Sequence, residues 1–280
     1  MAPAFTHTRY CDELTRQAAL FREALAAAGP QGLAARVPTC PDWSLRELTV
    51  HLGGAYRWFG ELVRTRATAM VPHEDVPGYH GPGDGASASA SAEELDAWFA
   101  ESARLAVEEM RAADPDARVW SWSTPAEQTA AFWARRATHE TVVHRADACF
   151  AARTPFTVAP EVAADCLEEW LEILASPVVQ DHKEEIRRLR DHAGKSLRLR
   201  AVEADPALRA DWLIELTPEG FTWHRGRTEA DADATATVHA PAPTDLLLLL
   251  YRRVPATDDR VEVRGDATLL DEWLARTSFE

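Results

Sequence analysis

Lysine is almost missing from this 280-residue chain: Lys183 and Lys195 are the only two, and arginine supplies the rest of the 30 basic residues against 45 acidic ones. The net charge of -15 works against nonspecific binding to a phosphate backbone, because the protein's own field repels a polyanion. No basic patch with interleaved aromatics offsets it. Cysteine is scarce too. Cys11, Cys40, Cys149 and Cys166 show no CxxC pairing, and three of them fall inside predicted helices, so neither a thiolate zinc knuckle nor a disulfide framework is expected. Long apolar runs are absent: the longest, Leu246 to Tyr251, is far too short to span a bilayer. The opening stretch MAPAFTHTRYCDELTRQ lacks the basic region and apolar core of a leader. The expectation is a soluble cytoplasmic protein that binds neither nucleic acid nor membrane. Its bias toward Arg, Ala and Asp is that of a high-GC bacterial genome.

What is present is enough apolar sequence, 46% of residues, for one large domain or two of ordinary size. Tyr10, Leu14, Ala18, Phe21 and Leu25 recur at helical spacing until Gly29-Pro30 stops them. Ser44 with Glu47 three residues on is a capping-box signature, and Leu45, Leu48, Leu52, Ala55, Phe59 and Leu62 follow as a buried stripe. From Met70 to Ser91 the chain is rich in Gly, Pro, Ala and Ser without periodicity, which predicts a long mobile loop able to cover a site as a lid. A third helix is predicted from about Ala92, with Leu95, Trp98, Phe99, Ala106 and Met110 inward, and a fourth from near Thr129. After Arg153-Thr154-Pro155 the pattern changes. A helix over about 160–175 leads through a charged stretch into SLRLRAVEA, DWLIELT, FTWHRG and ATATVHA, which alternate as strands do. Thr244 is expected to cap a short Leu-rich helix, and RVEVRG and ATLLDEWLA complete a smaller α+β domain. The division falls at 1–154 and 155–280, α followed by α+β.

On the fourth helix, Trp133, Ala137, Glu140, His144, Ala148 and Ala151 share a face. A carboxylate in such an apolar, small-residue stripe calls for a cation or a hydrogen-bond partner, because burying it unpaired costs several kcal/mol, about 3 or more. His51 lies beside the stripe of the second helix, three residues after Leu48. Two imidazoles and one carboxylate are the ligand set of a catalytic zinc centre whose fourth position stays open, and helices projecting polar ligands inward are a common way to build one. His51, Glu140 and His144 are therefore candidate metal ligands. A solvated Glu–His pair and a hydrogen-bonded core histidine account for the same residues without a metal.

HETVVH is not the zincin motif, which needs histidines four apart. His139 and His144 are five apart and diverge by roughly 140° around the axis, which makes His139 a neighbour and no ligand. His73 and His80 read as solvated loop histidines. Asp147 either orients the His144 imidazole or pairs with an arginine at the surface, and Trp43, Tyr56 and Trp58 read as core or pocket wall. Arg252 and Arg253 end the Leu-rich helix, where a cation is favourable, the reading preferred for Arg252; the alternative is that one of them grips a substrate carboxylate bidentately in an interdomain cleft.

The run VPTCPDWSLRELTVHLGGAYRW, then THETVVHRADA, then DLLLLLYRRVPATDDRVEVRGDATLLDEW resembles the mycothiol-dependent maleylpyruvate isomerase family of actinobacteria across nearly the whole chain. The resemblance implies a DinB-like four-helix metal-binding bundle followed by a small α+β domain similar to sterol carrier proteins. It implies His51, Glu140 and His144 as ligands of zinc or another divalent metal, and a functional arginine best matched by Arg253 and next by Arg252. It also implies mycothiol as the thiol cofactor and a small electrophile as substrate, which the thiolate isomerises from cis to trans or attacks and keeps. Hydrolysis by zinc-activated water and a non-catalytic metal or thiol sensor are the rival expectations. With no exposed heptad seam, a monomer is expected.

Overall fold

The structure is a computed structural model that describes residues 5–83, 89–226 and 233–278. The chain divides into two compact units, Met1–Phe156 and Thr157–Glu280. The first is helical and the second carries the main sheet.

Four long helices make the first unit: α1 (His7–Ala28), α2 (Leu45–Thr65), α3 (Ala92–Ala112) and α4 (Ala130–Ala152). Their starts follow the local chemistry. Ser44 and Ser91 each cap the N–H three residues on while Glu47 and Glu94 reach back to the cap's own N–H, two reciprocal capping boxes that satisfy donors left free at a helix start. Thr6 and Thr129 cap α1 and α4 in the simpler way. α1 packs on α4 and α3, and α2 on α3 and α4. The stripes read from the sequence meet in one core, where Tyr10, Leu14 and Phe21 of α1, Leu48, Leu52 and Leu62 of α2, Phe99 and Met110 of α3 and Trp133 of α4 are buried. Gly53 lets α2 approach Trp98, since a Cβ there would stand 2.3 Å from the indole.

Between α1 and α2 lies a feature that periodicity did not reveal, the antiparallel pair β1 (Arg36–Val37) and β2 (Cys40–Ser44). It is short, carries Pro41 and buries little, so it lacks the alternation that announces a strand. The expected lid also differs. Residues 84–88 lie outside the described residues, but the preceding part is pinned: Trp58 donates its Nε1–H to the Val71 carbonyl at 2.8 Å and Trp98 to that of Gly78 at 3.0 Å. Val76 is buried. His73 is exposed, as a solvated loop histidine should be, and also stacks on Tyr79 with ring centroids 4.3 Å apart and stands edge-on to Trp58. Two indole N–H groups need acceptors, and this segment's carbonyls supply them.

The second unit opens with α5 (Pro160–Ala175), the short α6 (Pro177–His182) and α7 (Glu184–Arg187). Five strands follow: β3 (Ser196–Ala201), β4 (Asp211–Thr217), β5 (Gly220–Arg225), β6 (Ala236–Ala240) and β7 (Glu262–Gly265). Their order is β5-β4-β3-β6-β7, with β3 and β6 parallel and the other pairs antiparallel. α8 (Pro243–Leu250) packs on α5 and on β3 and β6, and α9 (Ala267–Arg276) packs on β6. α8 is apolar all round because it is buried all round, Leu246 through Leu250 without exception. Thr244 does not cap it. Pro243 occupies the first turn, where its missing N–H costs nothing, and Asp245 accepts the Ala242 N–H at 3.1 Å.

Candidate metal centre

α2 and α4 bring His51, Glu140 and His144 together so that one donor atom of each lies within 4.8 Å of the others. Glu140 Oε1 is the hub, 3.1 Å from His144 Nε2 and 3.4 Å from His51 Nε2. The two imidazoles stand edge to face with centroids 5.0 Å apart. Access is graded: the His51 side chain is 35% exposed, Glu140 24% and His144 11%, so the cluster opens to solvent on the α2 side and closes toward α4.

Two charged residues of α4 hold the two α4 donors. Arg136, one turn before Glu140, donates to Oε2 at 2.7 Å, which leaves Oε1 facing the histidines. Asp147, one turn after His144, takes the Nδ1 proton on Oδ2 at 2.9 Å, which leaves Nε2 facing Glu140. Of the two readings of Asp147, the hydrogen bond to His144 is present, and the residue is fully buried, not at the surface. Burial opposes the charge of Glu140, but Arg136 and then His144 outweigh it and hold the carboxyl well below the usual carboxylate range. Burial likewise opposes a proton on His144, yet the Glu140 charge and the Asp147 hydrogen bond raise its pKa from 6.5 to about 9. Without a metal, these two carboxylates favour the protonated form of His144.

The pair β1–β2 forms one wall. Trp43 lies against His51 at 4.7 Å between centroids and against His144 at 6.1 Å. Thr39 and Cys40 reach Asp147. Tyr56, five residues after His51, hydrogen-bonds Thr141 at 2.7 Å and is buried in the core. His139 is buried as well, and its ring meets Tyr10 of α1 edge-on at 6.0 Å, away from the three donors as the five-residue spacing requires. Trp58 packs with Phe59 and Trp133.

Arg136, Thr39 and Cys40 were not singled out by sequence reasoning. Arg136 left a signal in its spacing, four residues before Glu140, the distance of one turn. Thr39 and Cys40 left none, because their role depends on a turn that only the fold reveals. Arg252 and Arg253 lie in the second unit just past α8. Arg252 is exposed, in left-handed backbone with φ of 57°. Arg253 gives its backbone N–H to the Leu248 carbonyl at 2.7 Å and a guanidinium N–H to that of Tyr251 at 2.8 Å, so both take part in ending α8.

Two nitrogens and one carboxylate oxygen, with the second carboxylate oxygen occupied by Arg136, make a donor set that fits a zinc-class divalent ion with room for a further ligand. Among the described residues no other such cluster occurs, and no helix is long and apolar enough to cross a membrane. No protein of curated function matches the chain. Crystal structures of the mycothiol-dependent maleylpyruvate isomerase and of a histidine mutant of it share the fold, each at 14% identity over 94% of this chain and 95% of that one, with TM-scores of 0.58 and 0.55. At that identity the likeness speaks for the fold alone. Residues 14–149 match the family described as the mycothiol maleylpyruvate isomerase N-terminal domain, and by that match the N-terminal unit of this chain belongs to it.

Proposed function

We propose that this protein is a metal-dependent enzyme that uses a low-molecular-weight thiol, mycothiol, on a small electrophile, either to isomerise a cis double bond or to transfer the thiol's sulfur. The observation that carries the reading is the convergence of His51, Glu140 and His144 within a unit matched to that family. In this reading the three residues hold zinc or another divalent metal, the α-helical unit of residues 1–154 is a DinB-like four-helix bundle, and residues 155–280 form the family's sterol-carrier-like α+β domain. The protein works as a cytoplasmic monomer.

A divalent ion in such a site supplies Lewis acidity that lowers the pKa of a thiol, making a nucleophilic thiolate available near neutral pH. The rest falls to this chain's own side chains. Arg136 keeps Glu140 ionised and turned so that Oε1 faces the histidines. Asp147 fixes the His144 ring with Nε2 inward. Trp43 walls one side of the imidazoles, limiting approach to the side on which His51 is exposed. Arg253, with Arg252 as the second choice, binds a substrate carboxylate or the negative charge that develops on an enolate oxygen, a role that contributes a few kcal/mol, about 3, in a dry site.

The test is turnover of a panel of electrophiles, including conjugated cis-diacids, by metal-loaded protein with and without mycothiol. The reading requires thiol-dependent turnover. Equal turnover without thiol would favour hydrolysis by activated water, and none under either condition would favour a sensor.

A further inference from the structure

We propose that Asp147 is the positioning residue of the centre and that the β1–β2 hairpin acts on the site through it, Thr39 holding Asp147 and Asp147 holding His144; this rests on the metal reading above. Asp147 is completely buried, and a carboxylate there needs compensating partners. Both of its oxygens are engaged at the site. Oδ2 accepts from His144 Nδ1 at 2.9 Å, and Oδ1 accepts the Thr39 hydroxyl at 2.5 Å. The Cys40 thiol lies 3.9 Å from Oδ2.

The hairpin is well placed for this. β2 ends at Ser44, the cap of α2, so the strand that carries Trp43 against both imidazoles runs directly into the helix that carries His51. At its other end the turn reaches across to α4 through Thr39. One short element thus touches both donor-bearing helices. The consequence is tautomeric and rotational: with Nδ1–H committed to Asp147, the imidazole presents Nε2 to the point where Glu140 Oε1 and His51 meet. Such outer partners typically change metal affinity about 10–100-fold. A carboxylate kept only to satisfy buried polar atoms would have no such effect on the folded protein.

The experiment is titration of Co²⁺ into the metal-free full-length chain, read by competition with a chromophoric chelator and by the visible spectrum of the bound ion. Asp147→Ala is expected to bind about 10–100-fold more weakly than the unsubstituted protein. Asp147→Asn, whose amide oxygen still accepts the Nδ1 proton without the charge, should fall between. Thr39→Val, of nearly the same shape, should weaken binding in the same direction and alter the spectrum, and Thr39→Ser should restore both. Wild-type affinity and spectrum in Asp147→Ala, or in Thr39→Val should Asp147→Ala fail to fold, overturn the proposal while leaving the metal site standing. A reduced thermal midpoint with unchanged Co²⁺ affinity also counts against it, as the mark of a structural role alone. If the unsubstituted protein takes up no Co²⁺, the metal reading itself fails and this inference with it.

Discussion

Arg136 and Glu140 form a 2.7 Å ion pair one turn apart on α4, with the guanidinium almost wholly out of water. The carboxylate that faces both histidines is therefore charged and oriented by the protein alone. Replacing Arg136 with Met keeps the length and removes the charge, leaving Glu140 with only the histidines as partners. The metal-free variant should lose about 2 kcal/mol of stability, and added metal should recover much of that by supplying a cation to the same carboxylate. Denaturant unfolding with and without Zn²⁺ measures both; equal losses in the two conditions would show that the pair acts apart from the donor cluster.

The His144 pKa gives a pH dependence. Its folded-state value, about 9, lies above the ordinary 6.5, so the proton's contribution to the stability of the metal-free protein is fully present below 6.5 and is lost as pH rises through about 9. Metal uptake runs the other way, since a cation competes for the same nitrogen. Apparent metal affinity should rise with pH across that window, with release of about one proton per ion at neutral pH. Calorimetric titrations in two buffers of different ionisation enthalpy count the proton. Uptake with no proton release would mean that His144 gives up no proton on metal binding.

Much of the helical unit was legible in the sequence, and the reasons are local. Ser44 with Glu47 announced the start of α2 because a capping box is written in four consecutive residues, and the stripes of α1 to α3 bury as their spacing predicts. α4 was harder. It is buried on nearly every side, with Arg136, Thr138, Thr141, Arg145 and Asp147 inside along with the apolar face, so periodicity alone did not rank its polar residues. The three candidate donors stood out by their chemistry, whereas Arg136 and the hairpin that carries Thr39 and Trp43 did not. The hairpin's importance comes from a contact across 108 residues of sequence, Thr39 to Asp147, which no short-range pattern encodes; Arg136 stands only four residues from Glu140 but is one of several polar residues buried on α4. The segment after Met70 looked mobile from its Gly and Pro content, yet the indoles of Trp58 and Trp98 tie it down.

Gly53, two residues after His51 on α2, offers a packing test where α2 meets Trp98 of α3. A Cβ there would stand 2.3 Å from the Trp98 ring, whose own Nε1–H is committed to Gly78. Gly53→Ala should cost about 1–3 kcal/mol as an overpacked core, and the Trp fluorescence should change as the indole shifts. An unchanged thermal midpoint would mean that α2 and α3 accommodate the methyl group without strain.

The two arginines after α8 separate by backbone. Arg252 holds a left-handed conformation that glycine adopts at lower cost, so Arg252→Gly should raise stability by about 1 kcal/mol and leave turnover intact. Arg253→Gln should lower kcat/KM while metal content stays at the wild-type level. The reverse outcome, turnover lost only in the Arg252 variant, would transfer the substrate role to Arg252.

The most direct measurement is the metal content of the purified protein and of its His51→Ala and Glu140→Ala variants, each checked for folding by circular dichroism. The account predicts about one divalent ion per chain in the unsubstituted protein and loss of that ion in both variants. Full retention of the ion in both variants would contradict it.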